Sequence, residues 1–377
     1  MDSSGPKHTV TKIPAAPTHP EEGVVHIPEP SAWQEGRLIL FLSGCTWHTS
    51  GAAQRPVALA RTFGQRGYNV MYYGSGNYDL NNYWCGGPLV VNYATLQKAM
   101  PMLMQCRGAV ILGLTPPRDI AFQLQRVGWT VVYDIIDDWE AFRETGYATW
   151  YELEDEIRCM RRADVVTASA PRLVERTVEL TRRRPHLIRN AGPSRPLPKK
   201  KPPRDLLIGQ DGTVVYSGYM QGTWFDLELL TNTIKELPNV GFNIIGEYDK
   251  PLLARNVNML GSLPYPEAME YVAHCDVGII PFRHKRLCEA VDPIKYYDYA
   301  AGGLWTVGSS VMTDLKGRPW TILGKPEARS LAREIKEALQ RPRPTDEEVA
   351  AFVAENSWQV RTDEFIQCIE GEANPWT

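Results

Sequence analysis

The 377-residue chain has no apolar run near the roughly 20 residues that a membrane-spanning helix needs, so nothing in it is expected to cross a bilayer. It has no Cys-x-x-Cys pair. Its seven cysteines are scattered singly, which fits neither a disulfide framework nor a zinc site, and the odd count favours reduced thiols and a cytoplasmic setting. It also lacks an excess of one charge. Forty-one Lys and Arg stand against 44 Asp and Glu, a net charge of −3, so there is no global reason to expect nucleic acid or anionic lipid as a partner. Residues 1–30 lack any periodic apolar pattern and carry six prolines, so they cannot bury enough surface to offset their ordering entropy and read as a disordered, Pro-rich tail. They lack the apolar centre of a signal peptide as well.

What the chain does have is alternation. From residue 37, short continuous apolar runs read as buried strands at 38–42, 68–73, 109–113, 130–134, 163–168 and 187–190. Helices are expected between them, at 57–65 with Pro56 near its first turn, and at 118–126. Between 191 and 211 five prolines and Lys199-Lys-Lys201 break the pattern, which marks an interdomain linker. A second series follows, with strands at 213–217, 241–245, 257–260, 277–280 and 305–307, and helices near 226–236, 266–273 and 328–340. Fully apolar strands alternating with helices indicate parallel sheets covered on both faces. The fold class is therefore α/β, two Rossmann-like doubly wound domains: 31–190, then the linker 191–211, then 212–350. By pattern alone the two could be unrelated units. A final amphipathic segment with Trp358 falls in 351–377.

The most informative stretch is Val291-Asp-Pro-Ile-Lys-Tyr-Tyr-Asp-Tyr-Ala-Ala-Gly-Gly-Leu304, which follows a strand and opens a helix. A helix N-terminus presents unpaired N–H groups and positive partial charge to an anion such as a diphosphate, Lys295 adds a cation, and Asp298 could accept from sugar hydroxyls one turn on. The stretch resembles the donor-nucleotide element of retaining GT-B glycosyltransferases of the family 4 type, with Asp298 where that pattern usually has Glu. Further blocks are similar to the teichuronic-acid-type members: Val215-Tyr-Ser-Gly-Tyr-Met-Gln-Gly-Thr-Trp-Phe-Asp-Leu227, Asn243-Ile-Ile-Gly-Glu247, Gln54-Arg-Pro56, Tyr133-Asp-Ile-Ile-Asp-Asp-Trp139 and Arg189-Asn-Ala-Gly192. Together, in this order, they are far more specific than any one alone.

The resemblance implies a GT-B fold, with an N-terminal acceptor domain, a C-terminal nucleotide-sugar donor domain and a last helix that crosses back to the N-domain. It implies a retaining transfer of sugar from a nucleoside-diphosphate sugar, UDP first among the bases, to a hydroxyl acceptor that the sequence does not name: glycan, lipid-linked sugar, small molecule, protein or modified DNA base. No other cofactor is expected. No Asp-x-Asp triplet ends a strand, which agrees with a metal-independent reaction. The donor-binding set is Gly218, where backbone could approach the diphosphate, with Tyr219, Arg283, Arg286, Pro293, Ile294, Lys295 and Asp298. Lys285 belongs to the same basic cluster. Catalytic candidates are Lys295, Glu289, His48 in the loop after the first strand, and Asp137; of Asp137 and Asp138, one is expected to cap a helix and the other to face the cleft. The family carries an acid eight positions before the second carboxylate, where this chain has Ala290, and Glu289 is the nearest substitute. That departure keeps two alternatives open, a GT-B epimerase or hydrolase and a non-catalytic nucleotide-sugar-binding protein. Basic stretches at Arg182-Arg-Arg184 and 199–204 leave a peripheral membrane contact open.

Overall fold

The computed structural model describes residues 37–47, 54–74, 83–84, 87–283 and 286–373. The expected tail at 1–30 and the candidates His48 and Lys285 lie outside them. Two sheets organise the chain. The first has eight strands: β1 (Leu38–Ser43), β2 (Asn69–Gly74), β3 (Tyr83–Trp84), β4 (Leu89–Val91), β5 (Gly108–Leu112), β6 (Thr130–Ile135), β7 (Val165–Ala168) and β8 (His186–Leu187), in the order β3-β4-β2-β1-β5-β6-β7-β8. Only the two-residue β3 at its edge runs antiparallel. The second sheet has six: β9 (Gly212–Ser217), β10 (Val240–Ile245), β11 (Val257–Gly261), β12 (Val277–Ile280), β13 (Trp305–Ser309) and β14 (Thr321–Gly324), all parallel, in the order β11-β10-β9-β12-β13-β14.

The apolar runs form central strands because both sides of each strand are buried. In β1, Leu38, Leu40 and Leu42 enter one core with Val110 and Leu112, while Ile39 and Phe41 enter the opposite core with Val57 and Phe63. Helices α1 (Arg55–Gln65), α2 (Tyr93–Leu103), α3 (Arg118–Gln125), α4 (Trp139–Glu144), α5 (Leu153–Arg162) and α6 (Pro171–Thr181) accompany the first sheet. Those of the second are α7 (Leu227–Lys235), α8 (Tyr265–His274), α9 (Arg286–Glu289), α10 (Ile294–Ala301), α11 (Ala328–Gln340) and α12 (Asp346–Glu355). The last helix, α13 (Trp358–Ala373), leaves the second unit and inserts Trp358, Phe365 and Ile369 into the core of the first. No helix among the described residues is long and apolar enough to span a membrane.

Two expectations are corrected here. The strand over 187–190 stops after Leu187, because Arg189 and Asn190 leave the sheet for a polar network between the units. The segment after it is less free than a linker of prolines and lysines suggests: Leu197 N–H donates to Ala301 O (2.8 Å) and Leu207 N–H to Asn243 Oδ1 (3.0 Å), so this stretch is tied to the second unit. The chain passes between units at Asn190–Gly192 and returns beside it, where Gly192 N–H donates to Asn356 O (3.0 Å) and Trp358 N–H to Gly192 O (3.2 Å).

Candidate active site

In each sheet the strand order reverses about a central strand, β1 in one and β9 in the other, and ligands of doubly wound sheets bind beyond the C-terminal strand ends at that point. Here both such edges meet across a cleft of about 670 Å³. One wall comes from the ends of β1 and β6, with Cys45, Thr46 and Asp137, and from the start of α1 with Gln54, Arg55 and Pro56. The other comes from the ends of β9, β10 and β12, with Gly218, Tyr219, Glu247 and Phe282, and from the N-terminus of α10.

Pro293 is the N-cap of α10: Tyr296 N–H closes the first turn on Pro293 O (3.0 Å), while the N–H groups of Ile294 and Lys295 precede any intrahelical acceptor, and Pro293, Ile294, Lys295 and Asp298 all line the cleft. The Lys295 ammonium lies 5.1 Å from the Phe282 ring centroid and 5.7 Å from that of Tyr216, and it makes no ion pair among the described residues. Burial pushes it down to about 8, with Asp298 pulling the other way. Gly218 sits against it at φ +150°, where a Cβ would lie 3.0 Å from Lys295 Cε and 3.3 Å from Nζ. Any side chain there would be strained and would displace the ammonium. Asp298 is pushed up to about 6 by burial, against a hydrogen bond of 2.6 Å that its Oδ1 accepts from Tyr265 Oη and the charge of Lys295.

On the facing wall the two adjacent aspartates divide. Asp138 accepts from Ala141 N–H (3.1 Å) as the cap of α4. Asp137 faces the cleft, with no hydrogen-bond partner among the described residues, and burial together with Asp138 pushes its carboxyl up to about 7.

Three expected residues are not in the cleft lining. Arg286, expected at the donor phosphates, crosses instead to the first unit, pairing with Asp138 (3.0 Å), Glu140 (2.5 Å) and Glu144 (3.5 Å). The short α9 points it at α4, where three carboxylates await it. Arg283 is exposed beside Asp226 at 4.0 Å. Glu289 ends α9 away from the lining, and its neighbour Ala290 is buried among the apolar side chains of the first unit, where an acid would be costly.

Beneath the cleft lies a network that includes none of the residues expected at the site. Arg55 binds Asp134 through two N–H groups (2.8 and 2.9 Å) and donates to Asn190 Oδ1 (3.2 Å). Asn190 N–H donates to Asp292 Oδ2 (2.7 Å), and Asp292 pairs with Arg318 (2.9 Å). Tyr297 Oη donates to Asp292 as well (2.9 Å). Buried charges persist only when satisfied in this way. Arg55, Asp134 and Asn190 each lie in a block that carries the family resemblance, which was the available signal.

Two doubly wound units, crossed twice by the chain and facing each other over a ligand-sized cleft, constitute the GT-B fold of glycosyltransferases. The crystal structure of α,α-trehalose 6-phosphate synthase from Burkholderia multivorans superposes with a TM-score of 0.63 at 11% identity, over 91% of this chain and 100% of that one. Anabaena HepE in complex with UDP and glucose gives a TM-score of 0.61 at 13% identity, over 88% of this chain and 98% of that one. In sequence, TuaH of Bacillus subtilis, assigned as a teichuronic acid biosynthesis glycosyltransferase, is 25% identical over 176 residues. That match spans 43% of this chain and 44% of the relative, less than half of either. No family model matches the chain.

Proposed function

We propose that the chain is a glycosyltransferase that moves a sugar from a nucleoside-diphosphate sugar, UDP-linked, to a hydroxyl acceptor with retention at the anomeric carbon. The observation that carries this reading is Lys295, a cation with no ion pair among the described residues, held beside two aromatic faces at the N-terminus of α10 and pressed against Gly218. An ammonium so placed has lost much of its hydration, and the charge of Asp298, which forms no ion pair with it, offsets that loss only in part; a diphosphate would supply the missing anion. As the bond from the anomeric carbon to the diphosphate breaks, charge grows on the departing oxygen. Lys295 and the free N–H groups of α10 are preorganised for that charge, so no divalent ion is required. The acceptor oxygen attacks on the face the diphosphate leaves, and its proton passes to a phosphate oxygen. Asp298, held by Tyr265, suits the ribose hydroxyls. The second α/β unit thus serves as donor domain and the first as acceptor domain. The described cysteines form no disulfide with one another, which suits a reducing, cytoplasmic location.

The test is a thermal-shift screen with UDP, GDP, ADP and dTDP, followed by turnover of the matching sugar nucleotide in excess chelator. A bound nucleotide raises the melting temperature by mass action. UDP should give the largest shift, and turnover should survive chelation. A chain stabilised by none of the four would not be a nucleotide-sugar enzyme, and one rescued only by Mg²⁺ or Mn²⁺ would not be metal-independent.

A further inference from the structure

The acceptor wall has a chemistry of its own. Arg55 is its one cation among the described residues, and its N–H groups are committed to Asp134, Asn190 and the carbonyl of Arg189. Asp138 is likewise committed, to the cap of α4 and to Arg176 and Arg286. Among the described residues, that leaves Asp137 as the one charged group of this wall that is free to meet a ligand.

Around Asp137 the wall is apolar and aromatic, with Ile136, Pro56 and Phe142, and with the amide of Gln54 and the hydroxyl of Thr46 as neutral polar groups. The Phe142 ring lies 5.4 Å from that of Trp224 across the cleft, and Trp224 is 5.5 Å from Tyr147 and 6.0 Å from Tyr219. Tyr147 and Tyr219 are 43% and 41% exposed, so this run of rings opens to solvent at the rim. A sugar ring has the matching surface: C–H groups on one face to lie on an aromatic ring, and hydroxyls at its edge to donate to a carboxylate. A phosphate or carboxylate entering here would meet the charge of Asp137 at short range, and no uncommitted cation among the described residues of this wall would replace its lost hydration.

We propose that the acceptor end that enters this cleft is an uncharged, hydroxyl-bearing pyranose ring, seated on Phe142 with its reacting edge toward Asp137, and that sugars carrying phosphate or carboxylate beside that edge are rejected. The proposal rests on the transferase reading above and adds the substrate class.

The experiment uses the full chain with the UDP-sugar that it binds. UDP release above the hydrolysis background is measured with methyl glucoside, methyl galactoside and lactose, against glucose 6-phosphate, galactose 6-phosphate and methyl glucuronoside. A neutral acceptor should exceed its charged counterpart at least about tenfold in kcat/KM, the size of a modest like-charge penalty. Asp137→Asn should bring that ratio toward one, and Phe142→Leu should raise KM for the neutral acceptor while leaving donor KM unchanged. Preference for the charged sugars, silence from the whole panel, or a ratio unmoved by Asp137→Asn would overturn the assignment. If no UDP-sugar binds at all, the transferase reading itself fails. If donor binds and is slowly hydrolysed while only charged acceptors are used, that reading stands and the acceptor class falls.

Discussion

Lys295 shows how a side chain can be arranged for function at the expense of its own comfort. Its charged form is disfavoured by burial, and only a bound anion would restore the balance. Lys295→Ala should therefore cost roughly a hundredfold in turnover, about 3 kcal/mol of transition-state stabilisation, with no loss in melting temperature. The pH dependence has a definite shape. Asp137 in its ionised form and Lys295 in its protonated form coexist best between about 7 and about 8, so kcat/KM should rise through the first value and fall above the second. The alkaline limb of kcat should lie higher than that of kcat/KM, because a bound diphosphate raises the lysine. Stability tells the same story for Asp137. Its folded carboxyl holds a proton more tightly than the unfolded chain does, so its contribution is favourable at low pH and is lost as pH rises through about 7. Asp137→Asn should then melt a few degrees above the parent at pH 8, with the gain vanishing in acid. At this scale the sequence was legible where function repeats a local pattern: Lys295, Asp298, Pro293 and Ile294 share one helix start, and Gly218 ends a strand. It was not legible for Arg286 and Glu289, since nothing local fixes which way a four-residue helix points. Nor could it join Arg55 to Asp134, 79 residues apart, because that pair exists only in the folded chain.

Among elements, α10 is the one through which packing and chemistry are coupled. It carries Lys295 and Asp298 on the cleft side, and at its back the chain crossing presses close: a Cβ on Gly192 would stand 2.9 Å from Tyr297 Cβ and 3.2 Å from its carbonyl carbon. Gly192→Ala should push α10 outward and cost about 1–3 kcal/mol, seen as a drop of several degrees in melting temperature. Turnover should fall as well, although residue 192 touches no substrate. The central strands were readable because each is buried on both faces and so written as an unbroken apolar run. Strand β4 has only three residues, and β14 is half-buried over most of its length, so neither is written as an unbroken apolar run long enough to stand out. Helix α5 was missed because charged residues dominate it, with Glu156 sunk against Arg176 at 2.8 Å. Helix α12 was readable in principle, since Thr345 and Glu348 form a capping box.

At the scale of the whole molecule the described residues join the two units by chain, by the network through Asn190, by the ring contact of Phe142 with Trp224, and by ion pairs of Arg189 with Asp314 and of Arg286 with Asp138, Glu140 and Glu144. Arg286 is 43% exposed, so each pair is screened and the contact is worth about 1 kcal/mol, roughly a fivefold bias toward the closed cleft. Arg286→Ala should loosen closure by that factor, measured as a larger radius of gyration in scattering without nucleotide and a higher KM for donor, with both differences shrinking at high salt. The returning α13 has a different consequence, in the order of synthesis. Trp358, Phe365 and Ile369 close an apolar face that Val57 and Phe63 begin to build some 300 residues earlier. While the chain is still on the ribosome, the second unit has its whole core in hand and the first does not. The half that is made first is therefore the half that is finished last. A stop codon at position 358 would leave the core of the second unit intact and strip the first of its cover, so the nascent first unit is where a chaperone would be needed.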